Sequence, residues 1–140
     1  MISLHNLNRQ HNAIKEELNF LDTEIAKEKQ ELDTSEIAFH MSKLTALFRI
    51  HLLEDDLFLY PYLLNCKDDG VITLTNLYIH EMGNIVDEYT IFNCRYHIEK
   101  HINDKIEEFL DDAKKVLRVL KERFEREEKE LYSIVKTSIS

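Results

Sequence analysis

Apolar residues recur at alternating steps of three and four along almost the whole chain, which predicts an all-α fold. The first stripe reads Leu4, Leu7, His11, Ile14, Leu18, Leu21 and Ile25. Residues 27–31 then turn polar, and Asp33 with Glu36 predicts a capped start for a second helix. Its stripe runs Ile37, Met41, Leu44, Phe48, His51, Asp55, Phe58 and Tyr62, with Pro61 expected to kink or end it. Residues 66–71, containing Asp68-Asp69-Gly70, are the clearest loop. A third helix is expected from near Thr73 or Thr75, carrying Leu77, His80, Asn84, Ile91, Cys94 and Ile98 inward. Asp104 with Glu107 offers the cap of a fourth, whose stripe runs Ile106, Phe109 or Leu110, Ala113, Val116 or Leu117, Leu120, Phe124, Glu127, Leu131 and Ile134. Four long helices on short loops make an up-down-up-down four-helix bundle, expected as one domain over residues 1–140.

Composition and charge sharpen this picture. Two glycines and one proline leave few punctuators for a sheet protein. A net charge of −9 argues against nucleic acid and against anionic membrane surfaces as partners. The first twenty residues mix polar and apolar types, so they read as neither a signal peptide nor a membrane span. Cys66 and Cys94 match no metal or redox spacing and read as free thiols. The expectation is a soluble, cytoplasmic protein.

The candidate chemistry lies in the stripes themselves. His11, His51, Asp55, His80 and Glu127 stand on or beside apolar faces where Leu or Ile would be expected. Counted from helix ends at 1.5 Å per residue, antiparallel packing puts all five in one layer near one end of the bundle. Ionisable side chains converging in a core are costly unless paired, and a bound metal is a common remedy. His51 and Asp55 are four residues apart, so they share a helix face and can serve one ion. Imidazole with carboxylate and no thiolate suits iron, manganese or zinc. A weak internal repeat accompanies the layer. His11 leads to His51-Leu52-Leu53-Glu54-Asp55 and then Leu59-Tyr60, while His80 leads to Arg123-Phe124-Glu125-Arg126-Glu127 and then Leu131-Tyr132.

With these residues in hand, the chain resembles the hemerythrin-like, or HHE cation-binding, family. His51-Leu52-Leu53-Glu54-Asp55-Asp56-Leu57-Phe58-Leu59-Tyr60-Pro61 is similar to its second-helix motif, and His11 and His80 fall where its helix-one and helix-three histidines belong. The likeness is nearer to the branch linked with nitric-oxide handling and iron–sulfur repair than to the oxygen carriers, since Asn84 replaces the second histidine of a third-helix pair. It implies a non-haem di-iron centre that binds O2 or NO or acts in iron or redox sensing, with His11, His51 and His80 as terminal ligands and Asp55 and Glu127 bridging. Two departures stand out. Asp55 holds a place usually filled by Glu, and Arg123 holds that of the fourth-helix histidine. Guanidinium is no metal ligand, so one iron, or another divalent metal, becomes an expected alternative to two.

A different class of reading competes with this one. Arg123 lies one turn before Glu127 and within expected reach of Asp55, so a bidentate ion pair would replace the metal outright. The chain would then be a metal-free interaction or regulatory module. Whether an enzymatic version exists is left open, as is a homodimer, because no electron donor or interface is legible here.

Overall fold

The computed structural model describes residues 2–139 and is an all-α helical bundle. Its long helices are α1 (Leu4–Ile25), α2 (Thr34–Glu54), α4 (Asp69–Tyr96) and α6 (Ile106–Arg126), with shorter α3 (Tyr60–Leu64), α5 (Glu99–Asp104) and α7 (Tyr132–Ile139). Helix α1 packs on α2 and α6, α4 packs on α3 and α6, and α5 bridges α2 and α4. Local chemistry sets most boundaries. Asp33 accepts from the Glu36 amide at 3.1 Å, the cap expected for α2. Asp68 accepts from the Gly70 and Val71 amides, so α4 starts at Asp69, several residues before Thr73. Truncating that cap in Asp68→Ala is expected to cost about 1 kcal/mol, measurable as a shift in the denaturant midpoint with the slope unchanged.

Three sequence expectations are corrected. Asp104 caps nothing: the break falls at Lys105, whose backbone leaves helical geometry between α5 and α6 without a side-chain cap. Pro61 does not end its helix, because it follows a π-helical turn at Asp55–Leu59. There the Tyr60 amide reaches back to the Asp55 carbonyl, and this wider turn accommodates a proline at the start of α3. The extra residue in that turn also moves the stripe from Phe58 and Tyr62 to Leu59, Tyr60 and Leu63.

The third correction concerns α4. Its buried face is Thr75, Tyr78, Met82, Ile85, Tyr89, Phe92 and Tyr96, while Leu77, Ile91 and Ile98 are exposed. Two apolar stripes compete on this helix, and the aromatic one buries more area. Its tyrosines also satisfy their hydroxyls at the core's edge, on Glu130, Thr45 and Asp112.

Burial exposes a repeat more exact than the sequence suggested. On α1, Leu7, His11, Ile14, Leu18, Leu21 and Ile25 are matched, at one constant offset, by Tyr78, Met82, Ile85, Tyr89, Phe92 and Tyr96 on α4. From α2 into α3, Phe48, His51, Asp55, Leu59, Tyr60 and Leu63 are matched likewise by Leu120, Arg123, Glu127, Leu131, Tyr132 and Val135. Each carboxylate of these series opens a π-helical turn, Asp55–Leu59 in one half and Glu127–Leu131 in the other.

Candidate metal centre

The two apolar clusters of the core meet at a polar layer. His11, His51, Asp55, Arg123 and Glu127 are all 0% exposed there. Phe124 forms its floor, lying edge-on to the His11 and His51 rings at centroid distances of 4.8 and 5.4 Å.

His11 and His51 aim their Nε2 atoms at one another across 3.2 Å. Two lone pairs cannot face at that distance, so a proton or a cation must lie between or beside them. The far side of each ring is anchored by an acceptor: His11 Nδ1 lies 3.2 Å from Glu128 Oε1, and His51 Nδ1 lies 3.1 Å from Gln10 Oε1. Lys15 in turn holds Glu128. Such outer partners put the ring proton on Nδ1 and present Nε2 as a donor to the interior, the usual arrangement of a metal-ligating histidine.

The carboxylates complete the cluster. Glu127 Oε1 lies 3.6 Å from both Nε2 atoms, and these three residues offer donor atoms all within 4.8 Å of one another. Asp55 Oδ2 flanks them, 3.2 Å from His51 Nε2. The Tyr132 hydroxyl stands 2.8 Å from His11 Nε2. Atoms bound to one cation at about 2.1 Å lie roughly 3–3.5 Å apart, depending on geometry. The observed separations fall in or near that range.

Three oxygens here, Asp55 Oδ1, Asp55 Oδ2 and Glu127 Oε1, are buried without any hydrogen-bond partner. Orphaned carboxylate oxygens in a dry core call for an explanation, and a cation supplies one. Electrostatics agree. Burial opposes charge on His51, yet Asp55 and Glu127 outweigh it and push its pKa up to about 10. Burial raises the Asp55 carboxyl above its ordinary range against the pull of His51. Burial works the same way on Glu127, but the two histidines and Arg123 win and hold it well below the carboxylate range. Without a cation the centre therefore keeps a proton in its place. The donor set, two imidazoles and carboxylates with Cys66 and Cys94 elsewhere on the fold, fits iron, manganese or zinc.

Arg123 borders this layer on the α4 side. Its Nε donates to Glu127 Oε2 at 2.7 Å, one terminal nitrogen donates to the Tyr78 carbonyl and Glu81 Oε1, and the other to the Tyr60 hydroxyl. Its guanidinium carbon also sits 4.4 Å from the Tyr78 ring centroid. The expected reach to Asp55 is not made, since both Asp55 oxygens lack a hydrogen-bond partner.

Of the five expected ligands, the structure brings together His11, His51, Asp55 and Glu127 and keeps His80 apart. His80 is exposed and lines an open surface groove with Leu77, Glu81, Asn84 and Arg126. The aromatic register of α4 turns it outward and puts Met82 at the position matching His11. Asn84 and Asp87 are exposed as well. Gln10 and Glu81 are site neighbours that motif spacing did not reveal, whereas the repeat that pairs Leu59-Tyr60 with Leu131-Tyr132 already points to Tyr132.

Comparison with known families gives a match to the model described as the hemerythrin HHE cation binding domain over residues 3–135. No curated protein and no solved structure matches the chain.

Proposed function

From a chain that belongs to the hemerythrin HHE cation-binding domain family, we propose an iron-binding protein whose cation is held by His11, His51, Asp55 and Glu127 and which takes up O2 or NO or reports on iron. The observation that carries this reading is the pair of facing Nε2 atoms beside carboxylate oxygens that have no other partner. Iron bound there would supply a redox-active centre and a coordination position for a small gas. The chain's own residues do the rest. Glu128 and Gln10 fix the ring orientations, Phe124 and the core around it exclude water, and the Tyr132 hydroxyl stands beside His11 as a proton donor.

Among the described residues, no helix is long and apolar enough to cross a membrane; the proposed setting is the cytoplasm. A metal-free module is the second reading, favoured by the buried Arg123, whose guanidinium donates to Glu127, Tyr78, Glu81 and Tyr60. It needs a charged His51 to serve Asp55 Oδ2 and Glu127 Oε1 together and leaves Asp55 Oδ1 without a donor among the described residues, so it ranks below the first.

Elemental analysis of protein purified from iron-supplemented cells tests the proposal. Stoichiometric iron is expected, with a visible spectrum that changes when NO is added to the ferrous protein. Absence of iron, or zinc in its place, sinks it. The metal-free chain should also gain about 4 kcal/mol at a free metal concentration a thousandfold above Kd, read as a rise in Tm. His80→Ala should bind the same metal with unchanged affinity.

A further inference from the structure

We propose that this centre holds one cation only, and that the Arg123 guanidinium is its permanent second positive charge. The proposal rests on the metal-binding reading above and deepens it.

Glu127 is divided between two cations. Its Oε2 accepts from Arg123 Nε at 2.7 Å, while its Oε1 faces His11 and His51 at 3.6 Å with no hydrogen-bond partner. A carboxylate so placed bridges a guanidinium on one side and an open donor cluster on the other. Two-metal sites set their ions roughly 3.5–4 Å apart across such a bridge. Here the outer side of the bridge is already filled, because Arg123 is fully buried and its two terminal nitrogens are held by Tyr78, Glu81 and Tyr60.

The internal repeat says the same thing independently. Asp55 and Glu127 are matched, and Tyr60 and Tyr132 are matched, so both halves retain an acid and a phenol. The nitrogen ligands are not retained. Met82 stands at the position equivalent to His11, and Arg123 at that equivalent to His51. A thioether is a soft, poor ligand for ferrous or ferric iron, and a guanidinium carries no free lone pair at all. The second half can therefore offer a second ion only Glu127, whose outer oxygen is taken, and the Tyr132 hydroxyl, which already stands against His11 Nε2. Arg123 supplies there the charge compensation an ion would give, without coordination chemistry.

Metal-free protein titrated anaerobically with ferrous ion and then desalted should retain one iron per chain. After oxidation, that iron should give the paramagnetic resonance of an isolated ferric ion, whereas an oxo-bridged, antiferromagnetically coupled pair is silent. The double variant Met82→His/Arg123→His should rise to two ions per chain. Two irons in the natural chain, or a silent coupled pair, overturn the single-cation proposal while leaving metal binding intact. No iron at all overturns both. The natural chain's count and resonance decide the matter even if the double variant does not fold.

Discussion

Replacing Arg123 by methionine is expected to destabilise the metal-free protein by about 3–5 kcal/mol, the cost of breaking a buried ion pair by removing one member. The loss has several parts in this structure. Glu127 Oε2 would lose the Arg123 Nε donor at 2.7 Å, leaving both oxygens of a fully buried carboxylate without a hydrogen-bond donor among the described residues. The Tyr78 carbonyl would lose a donor, and Glu81 would keep only Arg126. Urea unfolding of the two proteins would show the difference as a lowered midpoint. The double substitution Arg123→Met/Glu127→Gln should recover part of the loss, because the stranded charge is then gone. A loss below about 1 kcal/mol in the single variant would mean that Arg123 contributes little to the buried network.

Asp55→Asn should do two opposite things. It should lower iron affinity more than about 100-fold, beyond what the loss of an outer hydrogen-bond partner usually costs. It should also stabilise the metal-free chain by about 1–2 kcal/mol, since burial of the Asp55 charge outweighs its pairing with His51 and the amide removes that charge. The direction follows from linkage. Burial raises the Asp55 pKa above its unfolded value, so the acid penalises the native state once pH exceeds that unfolded value, and the penalty fades as pH falls. The neutral amide can instead donate to His51 Nε2, which lies 3.2 Å from Asp55 Oδ2. Parallel metal titration and thermal unfolding would check both halves. A variant that binds iron normally would remove Asp55 from the ligand set.

Much of the bundle could be read from periodicity alone. On α1 and α6 one apolar stripe dominates, so the three-four spacing sets the inward face and brings His11 and Glu127 with it; α2 and the turn after it also carry an exposed row at Phe39, Ile50, Leu53 and Leu57, and there the stripe through Ile37, Met41, Leu44, Phe48 and His51 is the one that packs. Helix α4 was misread because it carries two stripes. Leu and Ile looked like core by hydropathy, while the true core used tyrosines whose hydroxyls find partners at its edge. That one shift of face carried His80 out of the centre and brought Met82 in. The π-helical turns were illegible for another reason. They insert one residue's worth of backbone without glycine or proline inside the turn, so the only sign was a stripe that slipped after Asp55. The fate of Arg123 needed coordinates, because helical spacing cannot distinguish a guanidinium pointing at Asp55 from one pointing at Glu81.

The two wide turns absorb chain length in a way that no surface view would suggest. Each residue of an α-helix advances the angular position by about 100°, and a π-helical turn takes up one extra residue without passing that rotation on. Deleting the exposed Leu57 would let α2 run on as a regular α-helix, with Leu59 and Leu63 at the α-helical positions that face inward. The cost falls on Pro61 instead, which would then stand four residues after Asp56 inside a regular helix, where its ring clashes with that carbonyl. Loss of one residue at 127–131, which no proline follows, should therefore be borne more easily than the same loss at 55–59.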